Sequence, residues 1–142
     1  MEENKAVVVD ASVVFGFFFE EELNPYSLSF MDCMYEKQCI VSSIFPLEIA
    51  NVLHRGIRNK RWSSAEAWRF LTFLSRFSID VETGVSNDPM ECLDIAEEYD
   101  LTPYDASYLV VAKYKKLPLA TQDKELQRAA KECGVFWEPE IN

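Results

Sequence analysis

The stretch Ala6-Val7-Val8-Val9-Asp10-Ala11-Ser12 decides the fold. Consecutive β-branched residues with no polar side chain between them read as a short strand buried on both faces, the kind that parallel sheets contain. The run then breaks on a carboxylate. Charged side chains rarely border core-forming segments without a partner, so Asp10 marks a position where charge sits beside the core.

Working outward, Gln38-Cys39-Ile40-Val41 reads as a second strand, Ser78 to Val81 as a third, Leu119-Ala120-Thr121 as a fourth and Val135-Phe136 as a last edge strand. Helices fill the intervals. A phenylalanine-rich turn and helix carries Phe15, Phe17, Phe18 and Phe19. Pro25 to Glu36 follows, with Leu28, Met31, Cys33 and Tyr35 as apolar contacts. The next helix carries Leu47, Ala50, Val52, Leu53 and Ile57, with Ser42 or Ser43 as its cap. Ser63-Ser64-Ala65-Glu66 is a capping box that opens a helix with Trp68, Leu71, Leu74 and Phe77. Asp88-Pro89 and Thr102-Pro103 each set a capping side chain before a proline suited to the first helical position. Those helices run to about Tyr99 and about Lys116. Asp123 to Cys133 is a final helix, ended by Gly134. Strands alternating with helices predict an α/β fold with a mainly parallel sheet of about four to five strands. Residues 1–142 show no repeat, low-complexity stretch or dividing linker, and read as a single domain.

The composition, 49% hydrophobic and 27% charged, supplies a sizeable core. No apolar run approaches the roughly 20 residues of a membrane span. The start, Met1-Glu2-Glu3-Asn4, lacks the basic segment of a signal peptide. Cys33, Cys39, Cys92 and Cys133 form no Cys-x-x-Cys pair and read as reduced thiols of a cytoplasmic protein. The single histidine, His54, excludes a histidine-rich zinc site and argues against a histidine-based triad. The net charge of −10 argues against non-specific nucleic-acid binding. One segment departs from it: between His54 and Arg61 lie Arg55, Arg58, Lys60 and Arg61. These four are either a solvated helix end, where cations favour the helix dipole, or an RNA-binding patch that steers phosphate.

Four acids stand where apolar runs break: Asp10, Glu48, Asp105 and Asp123. Parallel sheets build their sites beyond the carboxyl ends of the strands. Asp10 and Asp123 each follow a strand, while Asp105, in a helix's first turn, and Glu48, within a helix, can reach the same crevice from the side. Glu48, Asn51 and Arg55, spaced i, i+3, i+7, share one helix face. Leu47, Ala50 and Leu53 form the neighbouring stripe, expected to pack on the sheet. Each acid has an ordinary reading: Asp10 and Asp123 as helix caps, Asp105 as a helix-dipole partner, Glu48 as a surface residue. Their conjunction carries the signal. With no matching set of buried cations, a hard divalent metal is the expected source of positive charge.

These residues resemble the PIN-domain ribonucleases, in particular the VapC-type toxins of toxin–antitoxin pairs. The matching pieces are Val8-Val9-Asp10-Ala11-Ser12, Glu48-Ile49-Ala50-Asn51-Val52-Leu53, Leu101-Thr102-Pro103-Tyr104-Asp105-Ala106-Ser107-Tyr108-Leu109 and Leu117-Pro118-Leu119-Ala120-Thr121-Gln122-Asp123-Lys124-Glu125-Leu126, in the family's order. The resemblance implies a PIN-like three-layer α/β fold and a Mg²⁺- or Mn²⁺-dependent endoribonuclease with Asp10, Glu48, Asp105 and Asp123 as catalytic and metal-binding acids. It further implies support from Ser12 and Thr121, with Asn51 close by, and as partners a homodimer mate and a small antitoxin encoded nearby. The antitoxin is expected to pack an apolar segment near Phe15 to Phe19. Trp68, Phe70, Phe73 and Phe77 cannot all share one helix face, so another chain is expected to cover some of them. Carboxylate-rich sites suit Mg²⁺ and Mn²⁺, which promote displacement at phosphorus by water.

The alternative is a catalytically weak or inactive PIN-like module that binds RNA or protein, whose expected mark, a lost acid, is absent. A haloacid-dehalogenase-type phosphohydrolase would need an acid where Ser12 stands. A receiver-like signalling domain would need paired acids after the first strand and a late strand lysine, and neither pattern occurs.

Overall fold

The computed structural model describes residues 6–139, so the acidic start at Met1 to Asn4 lies outside the described residues. Four strands, β1 (Ala6–Val9), β2 (Gln38–Val41), β3 (Ile79–Val81) and β4 (Leu119–Ala120), form one sheet in the order β3-β2-β1-β4. All pairings are parallel, with Val7 opposite Cys39, Val8 opposite Leu119 and Ile40 opposite Asp80. Seven α-helices flank the sheet: α1 (Ala11–Phe15), α2 (Pro25–Glu36), α3 (Phe45–Arg58), α4 (Ser64–Leu74), α5 (Pro89–Tyr99), α6 (Pro103–Lys115) and α7 (Lys124–Glu132). The α/β architecture is the one the alternating pattern predicts.

β1 is central because all three of its valines can be buried: Val7, Val8 and Val9 are fully enclosed, each contributing about 1.5–3 kcal/mol. The expected edge strand at Val135-Phe136 reduces to one parallel bridge between Leu119 and Phe136. β4 is two residues long, which leaves little ladder for a fifth strand to extend. Helix starts follow local chemistry. Asp88 and Thr102 cap α5 and α6 ahead of their prolines, Ser63 and Glu66 form the reciprocal box of α4, and Gly134 follows α7 with φ +72°. Each such cap stabilises its helix by about 1 kcal/mol.

The buried faces of α2 and α3 differ from expectation. On α2 the core side is Ser27, Phe30 and Met34, while Leu28 and Tyr35 are exposed. On α3 it is Phe45, Ile49, Leu53 and Gly56, whereas Leu47 is 76% exposed and Ala50 also faces solvent. The core is met by the row i, i+4, i+8, one step away from the stripe of Leu47 and Ala50, and the helix packs chiefly on α1 and α4 rather than on the sheet. Neither Ser42 nor Ser43 is the α3 cap. That position falls to Ile44, and Ser42 is buried against Ser107 of α6, their hydroxyl oxygens 2.6 Å apart.

The phenylalanine cluster is core rather than docking surface. Phe15, Phe17 and Phe19 are buried within the chain, against Phe70, Phe73, Phe77 and Trp62. An apolar antitoxin segment finds these rings already covered. The same packing encloses Phe70 and Phe77, while Trp68 is 67% exposed.

Candidate active site

Asp10, Glu48, Asp105 and Asp123 line one cleft of about 280 Å³, together with Ser12, Phe15, Asn51 and Arg55. Four elements deliver the acids. Asp10 leaves β1, Asp123 follows β4, Glu48 stands in the first turn of α3, and Asp105 in the first turn of α6. Because β1 and β4 are adjacent and parallel, their ends open onto the same side. A larger groove of about 790 Å³ lies between α5 and α6 and contains none of these residues. The smaller cleft is the candidate because convergent carboxylates with perturbed titration mark functional sites better than volume does.

Asp10 is the best-held of the four. It is 5% exposed. Its Oδ1 accepts the Ser12 hydroxyl at 2.5 Å and the Ser12 N–H at 3.1 Å, and its Oδ2 accepts the Thr121 hydroxyl at 2.6 Å. Thr121 Oγ1 in turn accepts the Asp123 N–H at 3.0 Å, and Ser12 Oγ accepts the Gln122 N–H at 2.9 Å. The capping reading holds too: Asp10 caps α1, and Asp123 caps α7 through Leu126 N–H at 2.9 Å. Asp105 follows Thr102, whose hydroxyl accepts its N–H at 3.2 Å. Glu48 accepts the Tyr108 hydroxyl at 2.5 Å.

The electrostatics are those of crowded, unpaired carboxylates. Burial pushes Asp10 up to about 7, against the pull of its bonds from Ser12 and Thr121, and the charges of Glu48 and Asp105 push the same way. Burial and the Asp123 charge push Asp105 up to about 6, opposed by Thr102. Glu48 is raised by burial, with its bond from Tyr108 opposing and the Asp105 charge adding. Among the described residues none of the four makes a salt bridge. Oxygen donors without a cationic partner are the donor set that hard divalent ions take. As they stand, no three His, Cys, Asp or Glu side chains among the described residues are arranged to hold an ion. The cleft has the right donors by their chemistry.

The basic segment divides. Arg55 lines the cleft and is the one cation among its lining residues. Arg58 and Lys60 are exposed beyond it, Lys60 in the left-handed region at φ +60°. Arg61 is engaged elsewhere: it pairs with Glu22 at 2.6 Å and Glu21 at 3.7 Å, its guanidinium 5.0 Å from the Trp62 ring centre.

Three polar groups behind the acids escaped the sequence reading. Tyr108 holds Glu48. Tyr26 accepts the Thr121 N–H at 3.3 Å and donates to the Trp137 carbonyl at 2.8 Å. Gln122 donates through its side chain to Asn24 and, at 3.0 Å, to Ser27. Tyr108 left a usable signal, since it stands three residues after Asp105 on the same helix face.

The sequence profile described as PIN domain matches residues 7–132. Among solved structures, the chain is similar to PAE2754 from Pyrobaculum aerophilum, at 30% identity over 87% of this chain and 78% of that one, with a TM-score of 0.66. It also has the fold of a chain in a toxin–antitoxin complex from Klebsiella pneumoniae, at 19% identity, 82% and 86% coverage and a TM-score of 0.58. A search among curated proteins finds no match.

Proposed function

This chain belongs to the PIN domain family, whose members are generally metal-dependent nucleases, and we propose that it is a Mg²⁺- or Mn²⁺-dependent endoribonuclease acting as the toxin of a toxin–antitoxin pair. The observation that carries the reading is the convergence of Asp10, Glu48, Asp105 and Asp123, from four elements, on one cleft without a salt bridge among the described residues. The chemistry that a divalent ion would supply when bound in the cleft is a lowered pKa of water and compensation of charge on the phosphoryl oxygens. Asp10, Asp105, Asp123 and Glu48 would hold the ion. Ser12 and Thr121 fix both oxygens of Asp10, so one ligand is oriented before the ion arrives. Arg55, at the cleft wall, would contact the phosphate backbone of the RNA, with Asn51 in support beside the acids.

Likeness to the Klebsiella complex supports an antitoxin as partner, in this reading a small protein encoded nearby. An arginine from such a protein would match the unpaired carboxylates bidentately. Exposed Trp68 supports a homodimer, which light scattering at tens of micromolar, as an order of magnitude, tests: a monomer there removes it.

The decisive assay is cleavage of RNA by purified protein with Mg²⁺, with Mn²⁺ and with excess EDTA. Cleavage should need the metal and should vanish in folded Asp10→Asn and Asp105→Asn variants. Cleavage that persists in EDTA, or in both variants, overturns the reading. The alternative of an inactive binding module expects no cleavage by the parent with either ion.

A further inference from the structure

We propose that Tyr108 is a positioning residue of the acid cluster, holding Glu48 across the cleft by a hydrogen bond from α6 to α3. The inference rests on the metal-dependent reading of the same site. The Tyr108 ring is 1% exposed, and its hydroxyl donates to Glu48 Oε1 at 2.5 Å, across 60 residues of sequence. Among the described residues this is the one side-chain hydrogen bond that Glu48 makes. Asp10 is fixed through both of its oxygens, whereas Glu48, with one more side-chain torsion, is fixed through one.

Position on the helix adds to this. Tyr108 follows Asp105 by three residues, so both project from one face of α6. The element that carries one acid therefore also holds another. Glu48 Oε2 has no hydrogen-bond partner among the described residues, which leaves it for a ligand in the cleft. A phenylalanine at 108 would keep the packing and remove only the tether. Groups that orient ligating carboxylates in this way alter metal affinity or activity by about 10- to 100-fold when lost.

The test uses the full chain as Tyr108→Phe, Glu48→Gln, the double variant and Ser107→Ala. Ser107 is the control for general loosening of α6, because it ties that helix to Ser42 without touching Glu48. Melting in EDTA checks that each is folded. Mn²⁺ binding, followed by the electron paramagnetic resonance of free Mn²⁺, and RNA cleavage at saturating Mn²⁺ are then measured. Tyr108→Phe should weaken Mn²⁺ binding or slow cleavage by about 10-fold or more, and should add nothing in the Glu48→Gln background. Ser107→Ala should lower the melting temperature and leave Mn²⁺ affinity unchanged. Parental behaviour of Tyr108→Phe, additive losses in the double variant, or an equal effect of Ser107→Ala each overturns the inference. If the parent binds Mn²⁺ but cuts no RNA, the Mn²⁺ arm decides the role of Tyr108, and the ribonuclease reading alone has failed.

Discussion

Replacing Asp105 by asparagine should stabilise the metal-free protein at neutral pH. The carboxyl titrates near 3.8 in an unfolded chain and is pushed up to about 6 in the fold, first by burial and then by the charge of Asp123. A raised acid pKa has a definite sign. The folded state keeps its proton longer than the unfolded chain, so the contribution is nil below about pH 4. It turns destabilising as pH rises toward 6 and is constant above. The shift of about two units corresponds to about 3 kcal/mol at ~1.36 kcal/mol per unit. The side chain is half-buried, and solvent screening reduces that to about 1–2 kcal/mol. Removing the charge also relieves Asp10, which Asp105 pushes upward. For a chain of this size a gain of that order raises the melting temperature by roughly 3–8 °C. The assay is thermal melting of parent and variant in EDTA from pH 4 to 8, repeated with Mg²⁺. The curves should coincide at pH 4, separate between 4 and 6 and stay apart above. Mg²⁺, binding only the folded state, should lift the parent more than the variant. A variant less stable than the parent at pH 7.5, or a difference that does not change with pH, refutes the electrostatic reasoning.

Two further outcomes follow from the geometry. Arg55→Gln should reduce the slope of log affinity for single-stranded RNA against log salt by about 0.7. Arg61→Gln should leave it unchanged and cost under about 1 kcal/mol of stability, because that side chain is occupied by Glu21, Glu22 and Trp62; equal slope changes in binding titrations would reject the distinction. Gly56→Ala should destabilise by about 2 kcal/mol. A Cβ there would lie 2.1 Å from the Trp62 ring, and a steric cost of about 3 kcal/mol exceeds the gain of up to about 1 kcal/mol in helix propensity. Denaturant unfolding reads the difference.

The helix starts were legible because capping is local chemistry. Asp88-Pro89, Thr102-Pro103 and the Ser63–Glu66 box fix their boundaries within four residues of sequence. The buried faces were less so. In α3, apolar residues at 45, 47, 49, 50, 52, 53 and 57 allow two overlapping stripes. Which one packs depends on how the helix sits against its neighbours in the fold, where Phe45, Ile49 and Leu53 win. The convergence of the four acids on one cleft was readable from strand ends and helix starts. Of the ties behind them, the resemblance implied that of Thr121 to Asp10, across 111 residues, while that of Tyr108 to Glu48, across 60, was hinted at only by the spacing of Tyr108 from Asp105. Arg61 was read with its neighbours as a free cation, since the acids that claim it lie 39 and 40 residues upstream.

The strand order carries a consequence for synthesis of the chain. β1 is made first, yet one of its two neighbours is β4, with Val8 opposite Leu119. Until residue 119 emerges from the ribosome, that side of β1 is an open edge, and Asp10 lacks the Thr121 hydroxyl that holds its Oδ2. At roughly 10 residues per second, the interval between the two is about ten seconds. β1, β2 and β3 can pair during that time, because each lies beside its predecessor. The acid cluster cannot be completed by any nascent chain that ends before Asp123. An incomplete product of translation therefore carries most of the sheet and an unfinished site, and the open edge of β1 is its point of exposure to aggregation and to quality-control proteases.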